Sequence, residues 1–216
     1  MQILWIEARP IQTPHVAPAR PPIEVVDCRH APDPQAALTR LQAAGDLEVW
    51  AETVHGEATG GRPRHELQPA PVLAIYTAPP FYDVLRAAVA RVAPERVYLF
   101  AVDPGMDRPQ AFLRRLAGLV HHIVRAKAGR ASLTELAAAT AQRERAVRKG
   151  LAWLAARGDI AVLGEQDGVV ELARGGTPGA PDELRACGLQ LRALLDETAS
   201  YRDYVAHVDK DALISD

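Results

Sequence analysis

Residues 72–102 read VLAIYTAPPFYDVLRAAVARVAPERVYLFAV, and this stretch decides the fold. Residues 72–76 form an unbroken apolar run that stops at Pro79-Pro80, the pattern of a strand buried on both faces. Val84, Leu85, Ala88 and Val92 then recur at helical spacing, predicting a helix over 81–92 with one apolar stripe. A second apolar run, 97–102, predicts another strand. Strand, helix, strand implies a right-handed crossover between parallel strands. Upstream the motif repeats: a strand over 23–27, a helix over 33–45 with Leu38 and Leu41 inward and Gly45 as its stop, and a strand over 47–51. Residues 55–69 hold Gly56, Gly60, Gly61 and Pro63 and read as a loop. The expected fold class is α/β, with a small parallel, Rossmann-like sheet of about four strands.

Downstream the period changes. Phe112, Leu116, Leu119, Val120 and Ile123 predict an amphipathic helix running to Gly129. Ser132-Leu133-Thr134-Glu135 reads as a capping box, in which the Ser hydroxyl and the Glu carboxylate each satisfy a free amide, opening a short helix over 133–139. After a turn at 140–142, a third helix carries Val147, Leu151 and Leu154 inward and stops at Gly158. Two strands, 160–163 and 169–172, flank Asp167-Gly168, a hairpin signal. Three helices with a short middle one, then a hairpin, is the order of a winged helix-turn-helix. Residues 175–179 read as a linker and 181–208 as a final helix. At the other end, 3–8 reads as a lone strand, followed by Pro10, Pro14, Pro18, Pro21 and Pro22, an extended linker. The expected divisions are therefore 1–22, 23–106, 107–174 and 175–216.

The chain of 216 residues has a net charge of −2, which excludes a uniformly basic nucleic-acid coat. The charge is unevenly placed. Between residues 107 and 160 eleven cations face four acids, whereas from 181 onward eight acids face four cations. Two cysteines, Cys28 and Cys187, are too few for a disulfide framework or a thiolate metal site. No apolar run approaches the ~18–20 residues of a membrane span, and the N-terminus lacks the pattern of a signal peptide. A soluble protein of the cytoplasm, with no membrane partner, is expected.

The strand ends place Asp27 and Asp103 where α/β sheets bind ligands. Such acids are either divalent-ion ligands or, more commonly, helix caps and turn closers. No glycine-rich phosphate cradle, Ser-His-Asp set, His-Glu-x-x-His or Cys-x-x-Cys occurs, so no catalytic or metal-binding residue is assigned. His121 and His122 point about 100° apart on a helix; one is expected to pack and the other to be solvated. Trp5, Trp50 and Trp153 are expected in cores, although Trp153 falls off the main stripe of its helix. The candidate binding residues are cations. On the third helix Arg145 and Lys149 lie opposite the core stripe, with Arg148 to one side and Ala152 and Ala156 between. Arg143 at its start, and Arg125, Lys127 and Arg130 at the expected end of the first helix, extend the patch. No Asn or second Gln stands on that face to read adenine edges, so contact with backbone phosphates is the expected mode.

Pro94-Glu95-Arg96-Val97-Tyr98-Leu99-Phe100-Ala101-Val102-Asp103-Pro104-Gly105, preceded by Pro79-Pro80 and Leu85 and followed by residues 112–120, resembles the C-terminal part of bacterial RecJ. That family is the single-stranded-DNA-specific 5′→3′ exonuclease. The likeness continues through Ser132-Leu133-Thr134-Glu135-Leu136 and Gly150 to Gly158, and includes Ile23 to Arg29, where the family tends to have an aromatic in place of Cys28. Leu4-Trp5-Ile6-Glu7-Ala8-Arg9 resembles the closing strand of the oligonucleotide-binding barrel that precedes this region. The resemblance implies an accessory region in DNA repair and recombination. Its partners would be single-stranded DNA, an acidic repair protein such as single-strand binding protein, or a separate nuclease core. It does not bring the catalytic Asp-His-His modules, where Mn or Mg would bind, and no cofactor is expected in this chain. A pure protein-interaction module, or a transcription regulator with the α/β part as sensor, are the alternative readings.

Overall fold

The computed structural model describes residues 22–214. The strand expected over residues 3–8, Trp5 and the proline-rich stretch lie outside the described residues. The protein has a mixed α/β architecture with a four-stranded parallel sheet, β1 (Glu24–Asp27), β2 (Glu48–Trp50), β3 (Val72–Thr77) and β4 (Arg96–Val102), in the order β1-β4-β3-β2. The pairing aligns Val25 with Val97, Val97 with Leu73, and Leu73 with Glu48. The quoted stretch supplies both central strands and α3 (Tyr82–Val92) between them. Alternation sorts the side chains: Leu73, Ile75, Val97 and Leu99 pack under Leu85, Ala88 and Val92 of α3. Ala74, Tyr76 and Phe100 face the opposite layer with Leu38 of α1 (Pro34–Ala44). Both faces of the central strands are covered, which is why they read as continuous apolar runs.

Residues 55–69 are not wholly a loop. Val54–Thr59 forms a short helix, α2, that ends on Gly60 in the left-handed conformation (φ 66°). The glycine read as a loop signal is thus a helix stop.

The second half packs α4 (Pro109–Ala126), α5 (Leu133–Ala139) and α6 (Glu144–Ala156) against an antiparallel sheet of β5 (Arg130–Ser132), β6 (Ile160–Gln166) and β7 (Val169–Arg174), in the order β5-β7-β6. Asp167 and Gly168 both have positive φ (52° and 76°), the backbone of a two-residue hairpin turn. One cluster holds this half together: Phe112, Leu116 and Val120 of α4, Leu133 and Leu136 of α5, and Val147, Leu151 and Leu154 of α6. Three details differ from the expectation. Helix α4 ends at Ala126 instead of reaching Gly129, and Arg130 belongs to β5, paired opposite Glu171. Gly129 makes the corner between them at φ 79°, and Leu172 N–H donates to its carbonyl at 2.8 Å. Only half of the capping box forms: the Ser132 hydroxyl accepts from Glu135 N–H at 3.4 Å, while the Glu135 carboxylate faces Lys127 at 3.5 Å.

A 27-residue helix, α7 (Pro181–His207), joins the halves, followed by α8 (Lys210–Ile214). At 1.5 Å per residue it runs about 40 Å. Leu191 and Leu195 at its middle belong to the helical cluster, whereas Val205 near its end and Leu213 of α8 belong to the cluster under α3. Between them sits Arg202, buried at 7% exposure. Its guanidinium donates to the Ala78 carbonyl at 3.2 Å, to the Ala141 carbonyl and to the Asp107 carboxylate. These groups are the end of β3, the α5–α6 turn and the entrance to α4. Gln142 also donates to Asp107, at 2.8 Å. Among the described residues no helix is long and apolar enough to cross a membrane.

Candidate nucleic-acid interface

Helix α6 positions four of the seven candidate cations, and the structure separates them. Arg143 precedes the helix and is buried, with its guanidinium 4.1 Å from the centre of the Phe81 ring and an N–H donated to Glu197 of α7 at 2.8 Å. It fastens α6 to the start of α3 and to α7 and presents little surface to a ligand. Arg145 is exposed but bonds to the same Glu197 carboxylate. The Arg143 hydrogen bond, against the opposing effect of burial and with help from the Arg145 charge, lowers the pKa of the Glu197 carboxyl from its ordinary value. Arg148 is held by Glu165 of the hairpin at 2.9 Å and by Glu144 at 3.4 Å. Lys149 is half-buried and has no carboxylate partner among the described residues.

Helix α7 therefore covers one flank of α6. Trp153 packs there beside Gly188, with Arg157 stacked 4.8 Å from its ring centre, which accounts for its place off the main stripe. Off α6, Lys127 faces Glu135 and Arg130 faces Glu171, each at 3.5 Å across exposed surface. Such pairs are weak and exchange readily with solvent ions. Arg125 is exposed and makes no ion pair among the described residues.

The face of α4 turned away from the core was not singled out from the sequence, although the signal is there. Residues 114, 118, 121 and 125 follow at i, i+4, i+7 and i+11, opposite Phe112, Leu116, Val120 and Ile123. They are Arg114, Gly118, His121 and Arg125, all exposed, and α4 contains no acidic residue. His122 is exposed as well, so neither histidine of the pair packs.

The strand-end acids close local structure. Asp27 is gripped by Arg29 (2.6 and 2.9 Å), whose hydrogen bonds lower its pKa to about 2, and the same guanidinium caps the end of α7 through the Val205 and Val208 carbonyls. Asp103 accepts from Gly105 N–H at 2.8 Å in a turn. Among the described residues no three His, Cys, Asp or Glu side chains gather as a metal-ligand set.

A comparison of the chain with protein-family models, with curated proteins and with solved structures finds no match.

Proposed function

We propose that this chain is a non-catalytic accessory region of a RecJ-like 5′→3′ single-stranded-DNA exonuclease, acting in the cytoplasm in DNA repair and recombination. Its second half is a winged helix whose task is to hold nucleic-acid backbone. The observation that carries this reading is the lopsided charge, eleven cations against four acids between residues 107 and 160. The order helix, strand, helix, helix, hairpin supports it. Hydrolysis belongs, on this reading, to a nuclease core elsewhere in the same or another polypeptide. Asp27 and Asp103 do not fit a catalytic metal, because Asp27 is bonded to Arg29 and Asp103 closes a turn.

The test is anisotropy of a labelled oligo-dT with the whole chain at 50 and 200 mM salt. Two to four phosphate contacts on a single strand predict weakening of about 7- to 50-fold over that range. Absence of binding at 50 mM salt overturns the nucleic-acid reading. A second reading, docking of an acidic repair protein, is favoured by the exposed Val162 and Leu163 of the hairpin, with Leu163 at 67% exposure. Capture of an acidic peptide in competition with oligo-dT would select it.

A further inference from the structure

We infer that the phosphate contact is made by the outer ridge of α4, with Arg114 and Arg125 as its two cations, and not by α6; this rests on the nucleic-acid reading above. The argument begins with availability. A guanidinium already held by a carboxylate gives up that partner to meet a phosphate, a small cost for a single exposed pair and a larger one where several charges share a network. On α6, Arg143 is buried, Arg145 shares Glu197 with it, Arg148 is held by Glu144 and Glu165, and Lys149, without a carboxylate partner among the described residues, is half-buried. Arg114 and Arg125 are exposed and have no carboxylate partner among the described residues. No acid of α4 itself stands near to offset them.

Geometry favours the same face. Arg114 and Arg125 are eleven residues apart, about 16 Å along the axis, a span that crosses several phosphates of a strand. Between them His121 offers a ring N–H, and Gly118 leaves the ridge flat, with nothing within 4 Å of where a Cβ would stand. A backbone can approach closely over such a residue. The ridge also discriminates between polyanions. Acidic peptides gain most of their affinity from apolar anchors seated in pockets, and none of the large exposed apolar side chains (Val54, Tyr82, Val162, Leu163, Leu189, Tyr204) lies on α4. Regular cations on a surface without anchors suit a phosphodiester chain.

The experiment compares two variants of the full chain that remove equal charge, Arg114→Gln with Arg125→Gln and Arg145→Gln with Lys149→Gln, against labelled oligo-dT from 50 to 200 mM salt. The α4 pair should lower the log–log salt slope by about 1.4, two single-strand contacts, and weaken binding on the order of tenfold at 50 mM. Melting of both variants should stay close to the parent, since all four side chains lie outside the core. The α6 pair should bind within about twofold of the parent. If the α4 pair binds like the parent, the inference fails while the nucleic-acid reading stands, and loss in the α6 pair alone would place the contact there. A parent chain that does not bind at all overturns both.

Discussion

Replacing Arg202 by methionine should lower folding stability by about 3–5 kcal/mol, the range for removing one partner of a buried charge pair. For a chain of this size that is a fall in melting temperature of about 10 °C. The loss arises less from the missing contacts than from what stays behind. Asp107 would keep its partly buried position with only Gln142 to bond it, and the Ala78 and Ala141 carbonyls would lose a donor. Burial already raises the Asp107 carboxyl above its ordinary range, against the pull of Arg202 and Gln142. Without the guanidinium it moves higher still. An acid whose folded pKa exceeds its unfolded value near 3.9 loses stability as pH rises between the two. The deficit of Arg202→Met should therefore be smaller near pH 4 than at neutrality, where the unpaired carboxylate adds to the lost carbonyl hydrogen bonds. Adding Asp107→Leu should restore most of the stability and remove this pH dependence. Urea unfolding of the two variants at acidic and neutral pH measures all of this, and a deficit under 1 kcal/mol at pH 7 would refute the junction role.

The second large effect lies at the corner after α4. Gly129→Ala should destabilise the protein by about 3 kcal/mol. A side chain at φ 79° carries about 1–2 kcal/mol of backbone strain, and a Cβ there would fall on the Leu172 carbonyl oxygen. That contact is with backbone, so no side-chain rotation relieves it. The β5–β7 pairing must open, weakening the Leu172 N–H bond to Gly129 and shifting buried Val170 and Leu172. Gly118→Ala, inside α4, makes the contrast. It adds a methyl group in open space and should stabilise by up to about 1 kcal/mol through helix propensity. Equal melting temperatures for the two alanine variants would contradict the described corner.

Elements whose reasons are local were legible in the sequence. Leu133–Ala139 follows from Ser132, which accepts from Glu135 N–H, and from the turn after it. The central strands follow from apolar runs cut off by prolines and charged residues. What depends on a distant partner was not legible. Arg130 reads as the end of a helix because three residues carry no alternation; it becomes a strand only through β7. The charge of the candidate interface could be read as composition, but not which cations are free, because Glu197 meets Arg143 and Arg145 from more than fifty residues away. The same distance hid the flank of α6 that α7 covers. Arg114 is placed opposite the core stripe of its helix by helical phase alone.

The long helix α7 has a consequence for how the molecule is made. It contributes Leu191 and Leu195 to one core and Val205 to the other, yet it follows both in the chain. During synthesis the residues of the sheet and of the three-helix half emerge first, at about 5–20 residues per second. Each arrives with an apolar gap that its own sequence cannot fill. Both gaps close late, the three-helix one first and the sheet's after it, as this last segment is extruded. Until then the nascent chain offers two unroofed apolar surfaces to chaperones, and a ribosome stalled before residue 181 would hold a polypeptide in which neither half is finished.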